Sequence, residues 1–237
     1  TEIGYDREVW RNAGHYISFG VYGGYTSSRQ KFDCSGHGDA DTQSLGIYSL
    51  FNTESNWFLD LVGTYFWHKQ KLTSYTPSGS GVTGKYHTNS WQVSANAGKR
   101  INFEGKWFIE PLVGVNYMHL DSIRYRTNFN TLVEASDSGY FSAHADLVVG
   151  KSFNWGKNNF LDTYGRFALI HDIDGKSKVQ IADYTFNEDL SSLRYELGAG
   201  VSTSWSDDGT AYFEASTQLG SRIKLPWEVN LGIQYRF

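Results

Sequence analysis

Pro226-Trp227-Glu228-Val229-Asn230-Leu231-Gly232-Ile233-Gln234-Tyr235-Arg236-Phe237 alternates strictly to its last residue. Successive side chains of a strand point to opposite faces, so Trp227, Val229, Leu231, Ile233, Tyr235 and Phe237 share one face. Glu228, Asn230, Gly232, Gln234 and Arg236 share the other. One face is apolar without interruption while its reverse is charged and polar. A soluble sheet reaches this pattern by packing its apolar face on a core. A membrane barrel reaches it by turning that face to lipid and the polar face to a wet lumen.

The rest of the chain repeats the pattern in about eleven segments, separated by polar or glycine-containing connections. In Trp57 to His68, the residues Trp57, Leu59, Leu61, Gly63, Tyr65 and Trp67 face one way, with aromatics bracketing an aliphatic centre. Trp and Tyr combine an apolar body with a polar tip, so strands with aromatics at both ends match two interfacial girdles. Trp107 to Leu120 does the same, with Trp107, Ile109, Pro111, Val113, Val115 and Tyr117 outward. Pro111 cannot donate to a ladder and needs an edge or an irregularity there. The inward faces carry Asp60, Arg100, Glu110, His144, Asp146, Asp162, Arg166, Arg194, Glu196 and Glu214. In a dry core each such group would cost several kcal/mol, on the order seen for buried ions, whereas a hydrated lumen of mixed sign pairs them at little cost. The pattern therefore predicts an all-β fold, a transmembrane antiparallel up-and-down β-barrel of the outer-membrane type, with Arg100, Asp146, Asp162, Arg166, Arg194 and Glu196 as a lumenal charge network. Inward glycines (Gly20, Gly46, Gly98, Gly150, Gly198, Gly200 and Gly232) fit either a crowded lumen or room for a threaded segment.

Composition agrees with this class and excludes others. The 237 residues include 16% aromatics and only 3 prolines, which argues for an ordered chain. A mean hydropathy of -0.46 does not oppose a barrel, whose wall is apolar only at alternate positions. No run approaches the roughly 18 to 20 apolar residues of a membrane helix, so any crossing is by strands. A net charge of -4 offers no surface for phosphate backbones and predicts no nucleic-acid partner. Cys34 is the single cysteine, which rules out an intrachain disulfide and a cysteine zinc site; it reads as a loop residue. The seven histidines have no metal-ligand spacing, so no metal or cofactor is expected. Ser78-Gly79-Ser80-Gly81 reads as a flexible linker, lacking the lysine and helix of a phosphate cradle. No signal peptide opens the chain, so targeting is expected from a removed leader or a longer precursor.

Short connections (Arg11 to Gly14, Asn52 to Asn56, Phe103 to Lys106, Asn154 to Lys157, Ser206 to Gly209) interleave with long polar ones. The long set comprises Ser27 to Thr42, Leu72 to Thr88, Asp121 to Gly139 and Ile173 to Ser192. Outer-membrane barrels have short periplasmic turns and long external loops, so the C-terminus is expected in the periplasm. Eleven strands is an odd count, while single-chain bacterial barrels have even counts. Either one N-terminal strand is absent, or Thr1 to Trp10 pairs with the edge of another protein.

Trp107-Phe108-Ile109-Glu110-Pro111, Tyr195-Glu196-Leu197-Gly198-Ala199-Gly200-Val201 and Asn230 to Phe237 resemble the C-terminal β-barrel translocator domain of classical autotransporters, the type V secretion proteins. Thr1-Glu2-Ile3-Gly4-Tyr5-Asp6-Arg7 is similar to that family's second strand, and Trp57-Phe58-Leu59-Asp60-Leu61 to its fifth. The resemblance spans essentially the whole chain and implies a twelve-stranded barrel, with residues 1–237 as one translocator domain lacking its first strand, linker helix and passenger. It further implies a Gram-negative outer-membrane location and insertion by the barrel assembly machinery. Secretion or surface display of an N-terminal passenger would follow, with outer-membrane lipid, the assembly machinery and the passenger as partners. Trp227, Val229, Leu231, Ile233, Tyr235 and Phe237 would be the assembly signal, presented as an edge that supplies backbone hydrogen bonds and alternate side chains.

Three chemical readings remain for the residues. Some members of the resembled family cut the passenger inside the lumen through acidic residues that promote attack by an asparagine side chain; Asp60 and Glu110 occupy similar positions and could orient an amide. The plainer expectation is that both join an ion-pair network with Arg100 and Arg166. An omptin-like surface protease would use His171, Asp172 and Asp174, although the alternation turns His171 outward. A stand-alone outer-membrane pore or loop-binding barrel is the remaining alternative.

Overall fold

The alternation of apolar and polar residues produces strands nearly everywhere in the computed structural model, which describes residues 1–32, 36–76, 78–155, 159–204, 209–221 and 225–235. In chain order these are β1 (Glu2–Asn12), β2 (His15–Phe32), β3 (Gly36–Asn52), β4 (Trp57–Tyr75), β5 (Gly81–Lys99), β6 (Ile101–Asn102), β7 (Trp107–Leu120), β8 (Ile123–Arg126), β9 (Leu132–Ala135), β10 (Ser138–Trp155), β11 (Asn159–Asp174), β12 (Lys176–Ile181), β13 (Tyr184–Asp189), β14 (Ser192–Ser204), β15 (Gly209–Gly220) and β16 (Leu225–Tyr235). The wall runs β1-β2-β3-β4-β5-β7-β10-β11-β14-β15-β16, with β6 paired to β7. All its pairings are antiparallel, the up-and-down order the sequence implied. Among the described residues β1 and β16 each have one wall neighbour and stand at the two edges.

Burial is inverted relative to a soluble sheet. Leu61 is 46% exposed, Val113 60% and Leu197 53%, while Asp146 and Glu196 are each 6% exposed and Asp172 is fully covered. An outer surface this apolar belongs against lipid, and the charged groups belong inside. Aromatics collect at both ends of the outer face. Tyr65 and Trp67 pack 4.9 Å apart and Trp91 and Tyr117 5.3 Å apart at one end. At the other end, the short-turn side, Lys99 sits 5.2 Å over Trp57 and Lys151 5.2 Å over Trp107.

Six inward glycines lie directly opposite an aromatic residue on the neighbouring strand: Gly20 opposite Tyr48, Gly46 opposite Tyr22, Gly98 opposite Phe58, Gly150 opposite Phe108, Gly200 opposite Tyr164 and Gly232 opposite Tyr212. In every case the ring covers the space that a Cβ on the glycine would take. The crowded-lumen reading of these glycines is the one the side chains adopt.

Pro111 finds its place at an irregularity. The β5 ladder stops at the Gly98–Leu112 pair and resumes as β6 at Ile101–Ile109, leaving Lys99 and Arg100 unpaired opposite Pro111 and Glu110. The absent N–H therefore falls where the ladder lapses.

The four long polar stretches are not loops, contrary to expectation. β2 and β3 stay paired out to Phe32–Gly36, and β4 and β5 out to Tyr75–Gly81, well beyond the aromatic row. The other two stretches fold into a separate four-stranded sheet, β13-β12-β9-β8. Its pairing puts Ile123, Tyr125, Val133, Ala135, Val179, Ile181, Tyr184 and Phe186 on one face. Tyr125 stacks on Tyr86 of β5 at 4.9 Å, and Gly84 leaves room for its ring. Asn128 adds two bonds to the same strand, accepting from the Thr83 N–H and donating to the Gly81 carbonyl, both at 2.9 Å. Burial pushes the Tyr125 phenol above its ordinary value. At the opposite end the chain turns tightly, with Ala13 and Gly14 at positive φ in the first hairpin. Cys34, half of the fourth short connection, most of the fifth, Arg236 and Phe237 lie outside the described residues.

Candidate functional site

The inward parity of the wall converges on a cavity of about 710 Å³, bordered by Asp60, Asn96, Arg100, Glu110, Asp146 and Arg166 among others. Its charges are arranged across strands. Arg100, between β5 and β6, pairs with Asp162 of β11 at 2.7 Å, bonds Ser152 at 3.3 Å, and lies 3.7 Å over the Phe108 ring. Arg166 of β11 holds Asp146 of β10 at 2.7 Å and reaches Glu196 at 3.3 Å and Glu214 at 3.4 Å. Asp146 also contacts His144 at 2.7 Å, and His144 contacts Asn96 at 3.1 Å, which extends the chain of contacts to β5.

A second cluster stands nearer the long-extension end. Arg194 of β14 binds Asp172 of β11 through two nitrogens, each at 2.8 Å, while Tyr140 and Ser192 donate to the same carboxylate. Gln218 joins the clusters: it accepts from Arg194 at 2.6 Å and donates to Glu196 at 2.9 Å. Arg100, Asp146, Asp162, Arg166, Arg194 and Glu196 are thus all inside and all paired. Low dielectric and fixed geometry make such fully satisfied networks rigid. Tyr140, Tyr164 and Gln218 are members the sequence reading did not name, although all three share the inward parity that placed Glu214 in the lumen.

Asp60 touches this network only through Asn96, and neither Asp60 nor Glu110 forms an ion pair among the described residues. Asp60 accepts from Asn96 at 3.3 Å, and no described residue forms an ion pair or hydrogen bond with Glu110. The expected pairing with Arg100 and Arg166 is corrected, because both cations are already committed to other carboxylates. The protease set is separated as well. Asp172 is held by Arg194, and His171 is exposed on the outer face, one residue along the strand and on its opposite side. Sequence reading also missed a buried chain in which His68 contacts Ser90 at 2.8 Å and Thr42 at 2.9 Å. Ser90 has no exposure, so its hydroxyl is closed to a substrate and the trio is a cross-strand tie.

The strand β16 shows Trp227, Leu231 and Ile233 at 73 to 75% exposure, with Glu228 and Gly232 on its less exposed side. Ahead of this strand, residues 1–216 match the sequence profile of the autotransporter beta-domain. The chain belongs to the autotransporter β-domain family. Autotransporter β-domains are outer-membrane barrels of Gram-negative bacteria, and such barrels put short turns in the periplasm and long connections outside, which assigns the extended ends of β2 to β5 and the small sheet to the cell-surface side. Among similar proteins, the pertactin autotransporter of Bordetella parapertussis is 24% identical over 234 residues, covering 99% of this chain and 25% of the relative. The BrkA autotransporter of Bordetella pertussis is 24% identical over 236 residues, covering 100% of this chain and 23% of the relative. The chain therefore spans about a quarter of the length of these curated relatives. The crystal structure of the BrkA β-domain aligns with a TM-score of 0.82 at 25% identity, covering 100% of this chain and 89% of that one. The transport unit of AIDA-I from Escherichia coli aligns with a TM-score of 0.84 at 15% identity, covering 100% and 81%, a likeness of fold.

Proposed function

We propose that this autotransporter β-domain is the translocator of a longer protein and lets a linked N-terminal passenger reach the cell surface. The observation that carries this reading is the lumen, most of whose charges are paired with one another and leave a polar cavity of about 710 Å³ inside an apolar wall. A passage lined this way accepts hydrated polypeptide without a dry barrier. In the full protein a further strand would bridge β1 and β16, whose outer residues Ile3 (82% exposed) and Trp227 (75%) mark the two edges. Insertion would proceed by the barrel assembly machinery engaging β16 through Trp227, Val229, Leu231, Ile233, Tyr235 and Phe237, an edge supplying backbone bonds and alternate side chains.

The test is surface display in Gram-negative cells of a protease-sensitive passenger joined ahead of Thr1 through the natural linker. Added protease should remove the passenger from intact cells. A passenger that stays protected while the barrel shows heat-modifiable gel migration overturns the transport reading. Replacing Leu231 and Tyr235 by Asn should abolish that migration, and an unchanged barrel would exclude β16 as the assembly signal.

A second reading concerns passenger release. Asp60 and Glu110 border the lumen without an ion pair, so either carboxylate could orient a linker amide for attack by an asparagine. Asp60→Asn or Glu110→Gln should slow release while display persists. Release at the original rate in both variants removes this role.

A further inference from the structure

Outward-facing side chains just beyond the cell-surface aromatic row form two cross-strand rows, and their charges are unbalanced. One row is Ser27, Asp41, Lys69 and His87; the next is Arg29, Asp39, Lys71 and Lys85, each residue directly paired with the one before it. The acids in these rows are engaged locally: Arg29 binds Asp39 at 2.6 Å, and Tyr25 donates to Asp41 at 2.9 Å. Lys71 faces Lys85 across the ladder, and neither they nor Lys69 form an ion pair among the described residues. Like charges directly opposite one another destabilise a ladder unless an anion sits between them. All three lysines are exposed.

Directly below, on the same strands, Trp67 and Tyr65 mark the interface, and beneath them an apolar groove of about 540 Å³ is cut into the outer wall. Gly63 and Ala95 form its floor, between Ile47, Leu61, Val93 and Val115. Cations at headgroup height, aromatics at the interface and a groove at acyl-chain depth are stacked along one line of the wall. We propose that the outer face of β3, β4 and β5 holds a phosphate-bearing lipid of the outer leaflet, its phosphate on Lys69, Lys71 and Lys85 and its acyl chains in the groove. The chemistry is that of an anionic headgroup: lysine ammoniums neutralise phosphate at the membrane surface, and the groove supplies the hydrophobic anchorage that a free phosphate lacks. This site is on the lipid side of the wall and is independent of the transport reading.

The test uses the full chain folded in zwitterionic micelles, titrated with diphosphoryl lipid A and read by native mass spectrometry. One lipid should be retained. The pair Lys71→Gln and Lys85→Gln should weaken retention at least about tenfold, as expected for two surface cations. Lys99→Gln with Lys151→Gln, at the opposite girdle, should leave it unchanged. Heat-modifiable migration reports folding, and Lys85→Gln alone, with a smaller loss, serves if the pair does not fold. Equal retention of dephosphorylated lipid A, or undiminished binding by the folded variants, overturns the headgroup assignment. Inorganic phosphate binding as tightly as lipid A overturns the role of the groove.

Discussion

Arg194 and Asp172 form a two-pronged pair, Nε to Oδ2 and Nη2 to Oδ1, each at 2.8 Å, on adjacent strands of the wall. Asp172 is fully covered and Arg194 is 12% exposed in its side chain. Removing one partner strands a buried charge. Asp172→Ala should therefore destabilise the folded barrel by about 3–5 kcal/mol, and the double change Asp172→Leu with Arg194→Met by distinctly less. Urea unfolding in micelles, followed by tryptophan fluorescence, measures both; a single variant within about 1 kcal/mol of the parent contradicts this account of the pair.

Leu61 and Val62 are adjacent in sequence and opposite in environment. Arginine at Leu61 faces lipid near the middle of the wall and should cost about 2–4 kcal/mol. At Val62 it faces the lumen beside Asp60, and the cost should be small. Equal losses in the two variants would mean that the inside and outside of β4 are misassigned.

Gly46 has the Tyr22 ring over its Cα, with the Tyr22 hydroxyl in contact with Thr64 at 2.5 Å. Gly46→Ala must push that ring away and should cost about 1–3 kcal/mol through overpacking. Tyr22→Ala in the same chain makes room for the methyl, so the double variant should be less unstable than the two single losses added. Strict additivity in the thermodynamic cycle removes the steric explanation.

The small external sheet is seated on β5 by the Tyr125 ring, beside the bonds of Asn128. Gly84→Leu would occupy the space of the Tyr125 ring, so amide exchange should accelerate in β8, β9, β12 and β13 while the wall stays protected. The raised Tyr125 phenol gives a pH signature. Its folded value lies above the ordinary 10.0 because burial disfavours the phenolate, so the sheet keeps its full stability below that value and loses it as pH rises through the raised one. Exchange in β8 and β9 that shows no acceleration in alkaline buffer would count against a buried Tyr125.

Lipid made the wall legible in the sequence. Wherever a strand crosses the membrane, one side must be apolar at every second position, and segments such as Trp57 to Trp67 carry that demand plainly. Above the membrane the demand ends: Arg29, Asp39, Lys71 and Lys85 continue the same strands with polar residues on both faces, so period-2 apolarity fades and the extensions read as loops. The external hairpins failed for another reason. Ile123, Tyr125, Val133 and Ala135 do alternate, but β8 and β9 are four residues each, too short to stand out from a polar connection. Inward parity placed Arg166, Asp146 and Arg194 in the lumen, whereas their partners depend on which residues sit side by side across strands, as does the fit of Pro111 to a ladder gap.

Gly20-Val21-Tyr22 on β2 and Gly46-Ile47-Tyr48 on β3 share the pattern glycine, β-branched aliphatic, tyrosine on strands that run in opposite directions. Lipid cannot tell the correct alignment of these strands from one displaced by two residues, since either keeps every apolar side chain outside. The rings can. A displacement one way sets Tyr22 against Tyr48, and the other way sets Gly20 against Gly46, a collision in one case and a void in the other. Repeated at β4–β5, β7–β10, β11–β14 and β15–β16, this ring-and-gap code acts as a ruler for strand stagger, and stagger fixes tilt and bore. The width of the lumen is thus written into the rings and glycines of its own inner face.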